Sequence, residues 1–180
     1  PKTEFFGTLE VVEYNWVQNA SLKGSMLPLG TLTLGATSQF YDNERYAGAF
    51  SARLLLPTAS TVPNTRLIGG EVGHASSLRP LSWLEVHTYL GADLSAGIGR
   101  GPSLARLGAV LTAGVQLSPF SFAALVIDAT GRLGPKSYFA PSVALRFRVF
   151  RLGIELAGTL PLVGTDRHDF NFGGRFSWRI

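Results

Sequence analysis

The chain has 180 residues, the length of one domain, and residues 1–180 are read as a single unit. Cysteine is absent, which excludes disulfides and thiolate metal sites, and charged residues make up only 16% against 46% hydrophobic. The net charge of +4 comes largely from arginines interleaved with apolar residues, as in Arg146-Phe147-Arg148-Val149, and this lack of a basic patch or stripe speaks against nucleic acid as a partner.

No run approaches the roughly 18 to 20 apolar residues of a membrane-spanning helix. The longest, Phe120–Ile127, is strand-sized, and Pro1-Lys2-Thr3-Glu4 lacks the basic start and apolar core of a signal peptide. Apolar residues instead recur at spacing two, with glycine interrupting nearly every segment.

Taken in chain order, strands are expected over 4–17, 29–41 and 45–57, then 82–96, 103–118, 120–132, 137–149, 151–162 and 169–180, with Arg66–Ala75 a weaker tenth. In the third, Tyr46, Gly48, Phe50, Ala52, Leu54 and Leu56 alternate with Ala47, Ala49, Ser51 and Arg53. Leu84, Val86, Leu90, Ala92 and Leu94 alternate with Glu85, His87, Tyr89, Gly91 and Asp93. Leu107 to Leu117, Phe139 to Val149 and Leu152 to Leu160 repeat the pattern. One face is bulky and apolar; the other mixes glycine, alanine, hydroxyls and charges.

A soluble sandwich would put its bulk inside and many lysines and glutamates outside. Small residues mixed with charges suit a narrow lumen instead, with the apolar face toward lipid. The reading is an all-β, antiparallel up-and-down transmembrane β-barrel. Bacterial barrels use even strand numbers, so ten strands are expected, with eight as the alternative in which Thr58–Leu81 is one long loop. Asp42-Asn43-Glu44, Ser76–Leu81, Ser118-Pro119 and the turn near Phe150 are the short connections, which belong at the periplasmic end. Gln18–Pro28, Thr58–Thr65, Gly97–Pro102, Gly134–Lys136 and Val163–His168 form the other end.

Aromatic residues gather near the strand ends, where rings prefer the headgroup level. Trp16, Phe40, Tyr46, Trp83, Phe122, Phe170 and Trp178 are the expected membrane girdle. Phe170, Phe172, Gly174, Phe176 and Trp178 share one parity of the closing stretch FNFGGRFSWRI, and Asn171, Gly173, Arg175, Ser177 and Arg179 share the other. That stretch resembles the C-terminal signal of bacterial outer-membrane β-barrel proteins, which the assembly machinery recognises. Phe172, Phe176 and Trp178 match the alternating aromatics, whereas Ile180 stands where the family ends on phenylalanine. The resemblance implies the bacterial outer membrane as location and its lipid as a partner.

Two sets of residues bear on chemistry. Gly73-His74-Ala75-Ser76 with Glu85 is loosely similar to the His-x-Ser and downstream glutamate of outer-membrane lipid A deacylases. That likeness implies a serine nucleophile, a histidine base and an orienting acid. The second set is the charge on the polar parity. Arg106, Asp128, Arg132, Arg146, Arg148, Glu155, Arg175 and Arg179 are expected to face inward as a lumen network, together with Arg53, Glu85 and Asp93. His87 beside Glu85, and His168 between Asp166 and Asp169, lack the closed geometry of a metal site, so neither metal nor cofactor is expected.

The leading expectation is a non-enzymatic anchor, scaffold or binding component of a cell-envelope assembly, with other envelope proteins as partners. A narrow anion-preferring channel is the alternative, and a lipid A-modifying hydrolase the third.

Overall fold

The computed structural model describes residues 2–16, 25–27, 31–57, 66–98, 106–134, 137–164 and 170–179. Of these, 10–16, 25–27, 31, 57, 66–67, 97–98, 106 and 164 are described as backbone alone. Ten long strands carry the fold: β1 (Lys2–Trp16), β2 (Thr31–Asp42), β3 (Tyr46–Pro57), β4 (Arg66–Leu81) and β5 (Leu84–Ile98). They continue as β6 (Arg106–Phe120), β7 (Ala123–Leu133), β8 (Tyr138–Val149), β9 (Leu152–Thr159) and β10 (Phe170–Arg179). Each pairs antiparallel with its sequence neighbours, and β1 pairs with β10, placing Gly7 opposite Trp178. The ring therefore closes and leaves no long edge. Short stretches extend it, Ser25–Leu27 against β1 and Val163–Gly164 against β8.

This is the ten-strand up-and-down barrel, and the eight-strand alternative falls because β4 is a full strand. Its length corrects the sequence reading. Ser76–Leu81, expected as a turn, belongs largely to the ladder: Ser76, Ser77 and Leu78 pair with Thr88, His87 and Val86. The turn is Ser82-Trp83 instead, and likewise Ser121-Phe122 replaces Ser118-Pro119. Pro80 and Pro119 misled the reading because proline usually marks a turn. Here each sits in a register irregularity, Leu78/Leu81 and Leu117/Phe120, where its missing N–H breaks no regular ladder bond.

All four described tight turns lie at one end. At the first, the Asn43 side-chain oxygen accepts from the backbone N–H groups of Arg45 (2.9 Å) and Tyr46 (2.6 Å), mimicking a backbone turn. At the last, Phe150 holds φ 53° and is 96% exposed. A bulky residue in that region costs about 1 kcal/mol, and glycine usually takes it.

Burial separates the faces. Apart from glycines, Ala47, Ser51, Tyr89, Asp93, Val126, Ala140 and Ala144 are the buried residues among those described, and all lie on the inward parity. Leu34, Leu54, Val72, Leu90, Leu94, Leu111, Val143, Leu145 and Ile154 stand exposed on the outward parity. A one-residue bulge between Gln39 and Tyr41 adds Phe40 to this outer surface, where its ring lies 5.0 Å from that of Phe50. The exterior is thus the apolar side, as a hydrocarbon solvent requires.

Candidate functional site

The lumen wall carries the chemistry, in two polar clusters at different depths. Toward the loop end, Arg53 Nη1 lies 3.4 Å from Glu71 Oε1 on the neighbouring strand, and Glu71 stands in register with Asp93. Arg132 of β7 reaches Asp93 of β5 across the intervening β6 through an ion pair and hydrogen bond. Gly108 permits that reach: a Cβ there would press on Asp93 Oδ1 and come within 3.3 Å of Arg132 Nε. Gly73 and Gly91 act in the same way for Tyr89, whose ring covers both, and the Arg53 guanidinium stands 4.8 Å from the ring centroid.

Toward the turn end, Glu155 joins two arginines. Arg146 donates from Nε and Nη2 to Glu155 Oε2 (2.9 and 2.7 Å), and Arg175 Nη1 lies 3.1 Å from Oε1. Arg146 also donates to Gln116 Oε1 at 3.1 Å. Nearer the turns, Arg79 pairs with Glu85 (3.2 Å) and Asp42 (3.9 Å), and Arg179 lies 3.7 Å from Glu4. Arg148 stands opposite Gly153, the position flanked on its other side by Ser177. Between the clusters, Ser142 donates to Asp128 and Thr112 bonds Thr130 at 3.0 Å.

The sequence-predicted charges thus divide. Asp93 and Arg132 meet in the upper cluster; Arg146, Glu155 and Arg175 meet in the lower; Asp128 stands between the two. Arg148 and Arg179 lie beside the turns on the inward parity. Arg106 opens β6 opposite Ser95, and its side chain lies outside the described residues, as do the side chain of Trp16 and the whole of His168. Among the described residues no group of acids and histidines is arranged to hold a metal.

The girdle aromatics collect mainly at the turn end. Phe40 and Tyr46 flank the first turn, Trp83 and Phe122 sit in the next two, and Trp178 lies near the last residues of β10. Phe170 begins β10 at the loop end, opposite the backbone of Trp16. The deacylase-like cluster is not assembled. His74 faces outward, with its ring 5.6 Å from those of Phe40 and Phe50, and Ser76 shares a hydrogen bond with Thr88 on that side. Glu85 lies on the inner face with Arg79. Histidine and serine share a face as strand parity requires, but the acid is on the other side of the wall.

Apolar outside, charged inside and closed on itself, such a wall is built for lipid, because no backbone group is left unpaired at an edge. It is that of a transmembrane β-barrel, the fold that bacterial outer-membrane proteins use. No protein-family model and no curated protein matches the chain. Among solved structures it is similar to an outer membrane channel from Pseudomonas putida F1, with 8% identity and a TM-score of 0.49 over 100% of this chain and 96% of that one. It is also similar to the attachment invasion locus protein of Yersinia pestis (13% identity, TM-score 0.37, 99% and 98% covered). Neisserial surface protein A gives 10% identity and a TM-score of 0.38 over 100% and 99%.

Sequence reasoning overlooked Glu71, Ser51 and Tyr89. Glu71 lay in the weakest strand, between Gly69-Gly70 and Gly73.

Proposed function

We propose that the barrel is a narrow, water-filled passage across the bacterial outer membrane, with an anion-favouring periplasmic mouth. One observation carries the reading. The ion pairs and hydrogen bonds described above run along the wall, between adjacent or next-but-one strands, as does the Gln116 to Ser118 bond within one strand. A plug would need braces across the bore and a packed interior. Among the described residues no large side chain is enclosed as in a packed core, although Val126, Asp93 and Tyr89 are buried against the wall. Small inner residues such as Ala140, Ala144, Gly153 and Ala157 leave space in the bore. The anion preference rests on β8 to β10, where Arg146, Arg148, Arg175 and Arg179 outnumber Glu155.

Planar-bilayer recording of purified protein in a potassium chloride gradient tests this. Small steps are expected, with a reversal potential on the chloride side. The double variant Arg148→Ala/Arg179→Ala should move that potential toward zero. A silent bilayer, or a potassium-selective one, would overturn the reading.

A second reading, a scaffold or binding component of an envelope assembly, is favoured by one feature of the outer wall. Leu34, Leu54, Val72, Leu94 and Leu107 border a groove of about 540 Å³ over Ala52, Gly70 and Ala92. Partners held through it should co-purify in mild detergent and be lost on Gly70→Leu.

A further inference from the structure

We infer that the outer wall at β4 and β5 is a contact between two copies of this chain, centred on His74 and Thr88. The outward parity is not uniform around the barrel. Over 107–117, 125–133, 139–149, 152–158 and 170–178 it carries no hydroxyl, imidazole or charge. On β2, β4 and β5 it carries Ser38, His74, Ser76 and Thr88. His74 is the one that hydrocarbon accommodates worst. It lies four residues beyond Leu78, the partner of Tyr46 in the girdle, and so about 13 Å farther along the strand, inside the apolar band. Phe40 and Phe50 pack against the imidazole from β2 and β3, and among the described residues no hydrogen bond reaches it. An ionisable side chain so placed in a membrane marks a contact, because acyl chains neither donate nor accept.

The wall itself offers the complement. Beside the ridge of His74 and Leu90 runs a low row, Ser76, Thr88 and Ala113, in register across β4 to β6. The Ser76–Thr88 bond uses one hydroxyl proton, and the exposed Thr88 oxygen keeps a lone pair for an imidazole N–H. Strand tilt brings His74 and Thr88, diagonal neighbours on adjacent strands, to nearly one depth. A two-fold axis along the membrane normal between β4 and β5 therefore sets each His74 against the other copy's Thr88, ridge into row, twice over. A ring that donates and a hydroxyl that accepts stand side by side, so the face is complementary to itself. That favours a second copy over a different protein. The contact lies on the turn side of the outer groove and rests on neither that groove nor conduction.

The chain has no cysteine, so one introduced thiol reports on one position. Leu90→Cys sits beside His74, whereas Ile154→Cys, also outward, lies on the far wall of the barrel. In vesicles at low protein-to-lipid ratio, a short bismaleimide should join Leu90→Cys barrels into dimers, with at least about fivefold less dimer from Ile154→Cys. Adding His74→Leu or Thr88→Val to Leu90→Cys should lower the dimer at least about fivefold, since either change removes both symmetric hydrogen bonds. Heat-modifiable electrophoretic mobility establishes that each variant is folded, and Thr88→Val serves if His74→Leu is not. Equal yields at the two positions would mean random collision and would overturn the contact. So would no dimer from Leu90→Cys, or an unchanged yield in the folded variants, either of which leaves the face to lipid or another protein.

Discussion

Replacing Arg132 with alanine is expected to lower the unfolding free energy of the barrel by about 3 to 5 kcal/mol, the usual cost of stranding one member of a buried ion pair. Asp93 is the reason. Its side chain is 4% exposed, one oxygen already lacks a partner, and Arg132 holds the other from two strands away. Removing the arginine leaves a carboxylate in the wall beside Glu71, with which it is in register. The asymmetry of exposure sharpens the expectation: Arg132 is 31% exposed and keeps part of its water when paired, whereas Asp93 has almost none to return to. Urea titration in lipid vesicles, followed by tryptophan fluorescence, measures the effect. Asp93→Asn added to Arg132→Ala should recover much of the loss, because it removes the stranded charge. A loss below about 1 kcal/mol would mean the pair behaves as a screened surface bridge.

Gly114→Val is expected to cost about 3 kcal/mol or more, at the upper end of overpacking effects, and to deplete the folded band in heat-modifiable electrophoresis. Gly114 lies on the inner face between His87 and Asp128. A Cβ there would crowd the Ile127 carbonyl oxygen and lie 2.8 Å from the Asp128 Cα. Both are backbone atoms and cannot rotate away, so β6 and β7 must part. Gly7→Ala makes a useful contrast. There the obstacle is the far ring of Trp178, which can swing outward, and a smaller loss is expected. A Gly114→Val barrel with unchanged urea midpoint would refute the steric argument.

The architecture was legible because strand parity is a local property. Phe50 and Leu54 against Ser51 and Arg53 reveal which face is apolar without any knowledge of neighbours. Turn positions were less legible, since Pro80 and Pro119 sit in bulges that only the pairing register exposes. The same division holds for the site. Inward charges such as Asp93 and Arg146 follow from parity. Their partners do not, because Arg132 meets Asp93 only where Gly108 leaves a gap, and a glycine in a sequence does not say whose side chain passes over it. The His74, Ser76 and Glu85 grouping failed for a related reason. His74 and Ser76 share the outward face, but Glu85, nearer the turn on the next strand, has the inward parity.

The pairing of β1 with β10 has a consequence for how the barrel forms. Phe6 meets Arg179 and Gly7 meets Trp178, so the contacts that finish the ring are the most distant in sequence of any in the fold. Before they form, both flanking strands carry bare backbone groups that hydrocarbon cannot satisfy. Insertion and closure are therefore coupled, and the entropy of bringing those strands together makes the last step slow. Once closed, the ladder has no beginning. A peptide bond broken in a loop would leave every rung in place, whereas loss of any one strand would reopen two edges at once.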